Sequence, residues 1–232
     1  MSDNVLQKNI PLDAEDIVVF VHGFGVRWDS RGMFKDIQES LPENWGSVLF
    51  DLYDVKGKNV YVASVDEQAR HLRQVLSEVS ASYPMATIHI IAHSKGCIIT
   101  SLGNPDTQGN IILLSPPEKF GTDMQTYFER YPGAEKKDTE IVVPRKDGTV
   151  THIPNTYFSE ASKINAQELL LQLSKKCKFV IIQTTDDEVI GDTTYDRLLN
   201  NDRINIVALK SDHNFTGEHR KELIDTIKEL LK

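Results

Sequence analysis

A chain of 232 residues with 40% hydrophobic and 26% charged residues has the makeup of a globular protein that buries a core, which excludes a disordered chain, and its length fits one α/β unit with a sizeable insertion. Thirty-four acidic against 26 basic residues give a formal charge of −8, which repels phosphate backbones and anionic headgroups. The densest basic cluster, Lys175, Lys176 and Lys178, sits among apolar residues before a predicted strand and reads as the solvated end of a helix, so no nucleic-acid and no membrane partner is expected.

In chain order, residues 1–16 lack the basic and apolar regions of a signal peptide, and no later apolar run nears the roughly 18 residues of a membrane helix. A cytoplasmic protein is the expectation. Short apolar runs then recur at Ile17–Val21, Val48–Leu52, Thr87–Ile91, Asn110–Leu114, Phe179–Gln183 and Ile204–Leu209. Most are continuously apolar and rich in Ile and Val, as parallel strands covered on both faces should be. Between and after them lie helical stripes, Ala69, Leu72, Val75, Leu76 and Val79, then Leu223, Ile224, Ile227, Leu230 and Leu231, which read as core-facing. The segment Ser115–Lys176 breaks the rhythm. It holds Tyr127, Tyr131, Tyr157 and Phe158, and its stretch Glu140–Pro154 turns on Asp147-Gly148, a pair suited to a β-hairpin. The pattern predicts an α/β core over 1–114 and 177–232, with 115–176 inserted as a cap containing that hairpin.

The strand Thr87–Ile91 runs directly into Ala92-His93-Ser94-Lys95-Gly96, and a helical pattern beginning Cys97-Ile98-Ile99 follows. This is the strand-turn-helix context of the nucleophile elbow G-x-S-x-G, with Ala in the first position. A serine hydroxyl needs a base to remove its proton and an acid to orient that base. Candidates lie past the ends of later strands, where open α/β sheets build their sites. One is His213, within Lys210–Phe215. The acid is one of three adjacent carboxylates, Asp186, Asp187 and Glu188. Asp192 reads as the N-cap of a helix through Leu198 and Leu199. His89 and His93 read as packing or hydrogen-bonding residues, and His71, His152 and His219 as exposed. Two cysteines, Cys97 and Cys177, are too few for a disulfide framework and read as buried small hydrophobes. No grouping has metal-ligand spacing, so neither a metal nor a cofactor is expected.

Together with Val21-His22-Gly23-Phe24-Gly25 after the first strand, these motifs resemble the α/β-hydrolase superfamily over essentially the whole chain. The resemblance implies that the backbone N–H groups of Phe24 and Lys95 form an oxyanion hole, with His22 a structural loop residue. The family pattern G-x-x-D-x-x-V aligns with Thr184, Asp187 and Ile190, which makes Asp187 the acid and leaves Asp186 and Glu188 as alternatives. Because only about 16 residues precede the first strand, a trimmed, mostly parallel sheet of about six strands flanked by helices is expected. A serine nucleophile implies acyl transfer to water on a small-molecule ester. The hairpin-bearing insertion and the His-Gly-Phe loop are similar to small bacterial carboxylesterases that include feruloyl and cinnamoyl esterases. A thioesterase, lactonase, monoglyceride lipase or acyltransferase of the same fold, or a catalytically silent binding protein, stand as the alternatives.

Overall fold

The computed structural model describes residues 6–121, 123–145 and 147–232. Residues 1–5, which open the stretch read above for a signal peptide, and Lys146 in the predicted hairpin turn lie outside the described residues. In chain order the elements are β1 Leu6–Asn9, β2 Asp16–Val21, α1 Met33–Glu39, β3 Gly46–Phe50, β4 Asp54–Lys56, β5 Asn59–Tyr61, α2 Val65–Ser82, β6 Thr87–His93 and α3 Lys95–Gly103. They continue with β7 Ile111–Leu114, α4 Met124–Glu129, β8 Glu135–Lys136, β9 Glu140–Pro144, β10 Val150–Pro154, α5 Asn155–Ala161, α6 Ala166–Ser174, β11 Phe179–Thr184, β12 Ile204–Leu209 and α7 His219–Leu230.

The main sheet has seven strands in the order β1-β3-β2-β6-β7-β11-β12. The six apolar runs all lie in it and run parallel. Alternate side chains of these strands enter two separate cores. Ile17, Val19, Val21, Ile90 and Leu113 pack with α2, α3 and α6, whereas Val18, Phe20, Ile91, Ile112 and Leu114 pack with α1 and α7. Burial on both faces is why β2, β3 and β7 show no polar alternation, whereas β12, at the sheet's edge, is only partly buried. The seventh strand, β1, pairs antiparallel with β3, Leu6 opposite Phe50. All four of its residues are exposed, so no apolar pattern marks it in the sequence.

Strand register decides where the site can form. Val21 pairs with Ala92, His93 with Leu114, Ile182 with Leu114, and Thr184 with Leu209. The C-terminal ends of β2, β6, β7, β11 and β12 therefore end level along one edge, and the loops beginning at His22, Ser94, Ser115, Thr185 and Lys210 emerge there. Order reverses between β2 and β6, the kind of switch point where parallel sheets open a crevice.

The predicted hairpin is present as β9 and β10, with Thr151 opposite Val143. It belongs to a second sheet of five strands, β4-β5-β10-β9-β8, in which β5 pairs parallel with β10. That sheet thus draws on residues 54–61 as well as on 135–154. Conversely α6, late in the 115–176 segment, packs on α3 of the main sheet's helical layer.

Two expectations are corrected. No helix follows Asp192: residues 196–200 form turns. Tyr195 adopts a φ of 50°, its ring is fully buried and its hydroxyl donates to the Pro116 carbonyl at 2.6 Å, which ties the segment down as a loop. His71, His152 and His219 are half-buried, not exposed. His71 meets the Phe50 ring edge-on, and His152 stacks on Tyr61 between Glu140 and Asn59, 3.1 Å from each.

Candidate active site

Ser94 occupies the turn between β6 and α3 with φ 53° and ψ −122°. A non-glycine residue at positive φ is costly and persists only where its surroundings enforce it. Here they do. The Ser94 N–H donates to the Leu114 carbonyl at 2.8 Å, which anchors the turn to the neighbouring strand. A Cβ at Gly96 would stand 2.2 Å from the Val21 carbonyl oxygen, so α3 can approach β2 this closely only because residue 96 is glycine. A Cβ at Gly23 would stand 3.3 Å from the Ser94 Cβ, which brings the His-Gly-Phe loop beside the serine. As the first residue of α3, Lys95 has a backbone N–H with no intrahelical partner.

The structure brings His213 and Asp187 to this serine. His213 Nδ1 lies 2.8 Å from Asp187 Oδ2, and its Nε2 lies 2.9 Å from Ser94 Oγ. A carboxylate only accepts, so Nδ1 carries the proton and Nε2 is left to accept from the serine hydroxyl. Of the three adjacent carboxylates, Asp187 alone meets the imidazole. Its Oδ1 accepts from the Val189 and Ile190 N–H groups at 3.0 and 2.9 Å, and its Oδ2 also accepts from Thr184 Oγ1. Burial pulls the Asp187 carboxyl upward. The hydrogen bonds from His213, Ile190 and Thr184 and the charge of His213 outweigh that, and its pKa falls to about 2. Asp186 is exposed, and Glu188 accepts from the His213 backbone N–H at 3.1 Å, holding the histidine's main chain instead of its ring.

Two further histidines are structural. His93 donates from Nε2 to the His213 carbonyl at 2.9 Å and accepts from Ser30 Oγ at Nδ1, so it fixes the backbone of the imidazole across the serine turn. His22 accepts the Leu52 N–H at Nε2, 2.9 Å, and donates from Nδ1 to the Gly23 carbonyl. Burial, aided for His93 by the charge of His213 and for His22 by that of Lys95, lowers both to about 3, so both rings are neutral.

Sequence reasoning missed the supports behind the His-Gly-Phe loop. Lys95 turns its side chain inward, where its ammonium is buried, donates to Tyr53 Oη at 3.0 Å and to Gln68 Oε1, and lies 4.4 Å from the Tyr53 ring centre. Tyr53 in turn donates to the Gly23 carbonyl at 3.3 Å. Burial pushes the Lys95 ammonium well below its ordinary range. Asp51 is fully buried and takes both Arg27 Nε and Nη2, at 2.9 and 2.7 Å, and the Trp28 N–H. Its signal was present: a carboxylate inside the apolar run Val48–Leu52 must be paired to be buried. Lys95 gave no such signal, since it occupies a variable position of its motif.

Ser94 and His213 open on a cavity of about 750 Å³ whose lining also includes Phe24, Tyr127, Phe128, Tyr131 and Arg145. Among the described residues no cluster of His, Cys, Asp and Glu is placed to hold a metal, and no helix is long and apolar enough to cross a membrane. Cys97 and Cys177 are buried free thiols.

Comparison with solved structures places this arrangement. A structure of Est1E from Butyrivibrio proteoclasticus with ferulic acid bound superposes with a TM-score of 0.72 over 97% of this chain and 93% of that one, at 16% identity. The chain has the α/β-hydrolase fold. A monoacylglycerol lipase from Paleococcus ferrophilus also superposes on this chain, with a TM-score of 0.65 over 99% of it and 98% of the lipase, again at 16% identity. A family model described as "Alpha/beta hydrolase of unknown function (DUF900)" matches residues 2–102. "Probable lysophospholipase BODYGUARD 2" of Arabidopsis thaliana is 29% identical over 110 residues, which span 45% of this chain and 23% of the plant protein. The match therefore takes in less than a quarter of that relative's length. The sheet, with its antiparallel edge strand, is the expected mostly parallel one with a strand more than the six apolar runs.

Proposed function

We propose that this α/β-hydrolase is a serine esterase that cleaves small carboxylic esters through an acyl-enzyme. The observation that carries the reading is the unbroken hydrogen-bonded line Ser94–His213–Asp187, with the serine end facing a cavity. Ser94 Oγ attacks the ester carbonyl while His213 Nε2 takes its proton. Negative charge develops on the carbonyl oxygen, between the Phe24 N–H and the Lys95 N–H. The C–O bond to the alcohol breaks as His213 returns the proton to it. Water, deprotonated by the same nitrogen, then attacks the acyl-serine and releases the acid. Asp187 stays ionised throughout, holds the tautomer that leaves Nε2 free, and balances the transient imidazolium.

In this reading residues 115–176 act as the cap over a core of 1–114 and 177–232, with the strand pair at 54–61 extending the cap's sheet. The aromatic lining suits short to medium acyl chains or aryl acids. The fold shared with Est1E and its ferulic acid supports aryl esters, and the fold shared with the monoacylglycerol lipase supports a lipid ester as the second reading.

The deciding experiment is turnover of p-nitrophenyl butyrate together with labelling by a fluorophosphonate, with the adduct located by peptide mass spectrometry. Hydrolysis with the adduct on Ser94 is expected. A protein that neither turns over esters nor takes the label would leave the fold in place as a binding module.

A further inference from the structure

Arg145 plays no part in the mechanism above, yet it lines the same cavity as Ser94 and His213. It follows β9, and its backbone is pinned by hydrogen bonds to Thr149 and from Gly148 at 2.8 and 3.0 Å. Its Nε donates to Thr151 Oγ1 at 3.0 Å. The guanidinium carbon lies 5.9, 5.5 and 5.7 Å from the ring centres of Phe24, Phe128 and Tyr131, within cation–π range of all three. The side chain is therefore held at both ends in one place. That place is against the oxyanion loop, since a Cβ on Gly25 would stand 2.8 Å from Nη2.

What the cation lacks is an anion. Its Nη2 is buried with no hydrogen-bond partner, and no carboxylate forms an ion pair with Arg145 among the described residues. Asp147 lies within its field, but Asp147 Oδ1 accepts from the Thr149 N–H and hydroxyl at 2.9 and 2.7 Å. The nearby Arg31 adds positive charge to the same side. Ring faces attract a guanidinium but accept its N–H groups only weakly, and a buried polar group without a full hydrogen-bond partner is unfavourable. An incoming oxyanion would supply both charge and acceptors, and in a site partly withdrawn from water that charge-assisted bond is at its strongest.

We propose that Arg145 is a specificity residue that binds an anionic group, a carboxylate or a phosphate, carried by the ester substrate beside its scissile bond. The natural substrate would then be an ester with a second, charged end, such as the half-ester of a dicarboxylic acid. Only the ester bond is cleaved, and the anion passes through unchanged. The inference rests on the esterase reading for its substrate but not for its anion site. Four acids also line the cavity. Glu118 accepts from Gln167 and the Thr194 N–H, Glu188 accepts from the His213 N–H, and Asp123 and Asp192 complete the set. If their field governed the cavity, anionic esters would be rejected.

The test compares the p-nitrophenyl half-ester of glutaric acid with p-nitrophenyl valerate, which has the same chain length and no charge. The ratio of their kcat/KM values should favour the half-ester by about tenfold or more in the wild type. It should fall to one or below in Arg145→Met and recover in part in Arg145→Lys. The ratio is taken within one protein preparation, so partial loss of folded enzyme does not move it. A second arm uses calorimetry on Ser94→Ala, which needs no catalysis: glutarate or inorganic phosphate should bind, and adding Arg145→Met should weaken binding about tenfold. Which of the two ions binds identifies the group. A wild-type ratio of one or less, with neither ion bound, overturns the inference while the neutral ester's turnover keeps the esterase reading. No turnover of either ester overturns the esterase reading, and the calorimetric arm then decides the anion site by itself.

Discussion

The two walls of the cavity are built on different principles. The wall formed by the main sheet holds Ser94, Asp187 and His213 past the ends of β6, β11 and β12, and contacts with the backbone fix each: the positive φ of Ser94 and the glycine contact behind it, the paired N–H groups on Asp187, and the Glu188 and His93 bonds to the His213 main chain. The wall drawn from residues 127–145 holds Tyr127, Phe128 and Tyr131 by ring contacts between 5.0 and 6.3 Å, and the Arg145 side chain by those rings together with one hydrogen bond to Thr151. On the first wall a shift of one residue in register would turn every side chain away. On the second, a ring can be exchanged for another apolar group with local repacking. In the proposed reading, reaction chemistry belongs to the rigid wall and selectivity to the adaptable one, so substitutions on the two should differ in kind as well as in size.

The largest effect should come from Ser94→Ala. It removes the proposed nucleophile and only one partly exposed oxygen, so kcat for p-nitrophenyl esters should fall by about 10⁴-fold or more while circular dichroism keeps its native form. Activity within tenfold of wild type would dissolve the contrast between the walls, because the rigid one would then carry no nucleophile. Next comes the pair Asp187→Asn and Asp186→Asn. The first should cost about 10³ to 10⁴ in kcat by favouring the wrong imidazole tautomer, and the second less than about tenfold. The reverse ranking would show that the contacts on Asp187 serve folding alone.

The rigid wall was also the legible one. Strands buried on both faces must be continuously apolar, so runs such as Ile17–Val21 and Ile111–Leu114 stood out, and with them the loops at their ends. The choice among Asp186, Asp187 and Glu188 was not legible from residue type. Three adjacent carboxylates look alike until Thr184 and the N–H groups of Val189 and Ile190 converge on one of them. β1 is exposed throughout, and β4 and β5 have three residues each, too few to show a period. Asp192 has the right residue type for an N-cap, yet burial of the Tyr195 ring overrides it. The adaptable wall leaves the faintest trace, because its order arises from contacts between distant segments, such as Phe24 with Phe128 and Tyr157.

A third prediction separates the walls by pH. His22 and His93, both buried in the rigid part of the site, have folded pKa values of about 3, against about 6.5 for an unfolded histidine. Between those values the unfolded chain binds a proton that the folded chain refuses. Stability is therefore fully present above about pH 6.5 and is lost as pH falls toward 3, at up to about 1.4 kcal/mol per pH unit for each histidine. Urea unfolding of His93→Gln, which keeps a donor for the His213 carbonyl, should show a shallower loss between pH 6 and pH 4 than the wild type. Equal slopes would mean that His93 is protonated in the folded protein and that the wall is wetter than its burial implies. Tyr127→Phe, on the other wall, should leave that slope as it is.

The smallest effect is expected at Tyr127 and concerns chain length. The ring is 62% exposed at the cavity's rim and meets Phe128 and Tyr131 edge-on at 5.0 and 6.3 Å, so it narrows the mouth without supporting the core. A narrowed mouth lined by aromatics favours short acyl or aryl acids, whereas action on an oil droplet calls for a broad exposed apolar surface. The visible stretch Glu135–Thr139 is instead mostly charged or polar and largely exposed. Wild-type kcat/KM should therefore be higher on soluble esters of two to about eight acyl carbons than on emulsified long-chain esters. Tyr127→Ala should shift that ratio toward the longer chains by less than about tenfold, through KM and not kcat, because the change removes uniform binding and leaves the reacting groups in place. A fall in kcat with KM unchanged would show that the rim of the adaptable wall positions Ser94 or His213 after all. Activation of the wild type by triolein droplets, with weak turnover of soluble esters, would show that this wall moves aside as a lid and that its aromatics face lipid in the working enzyme.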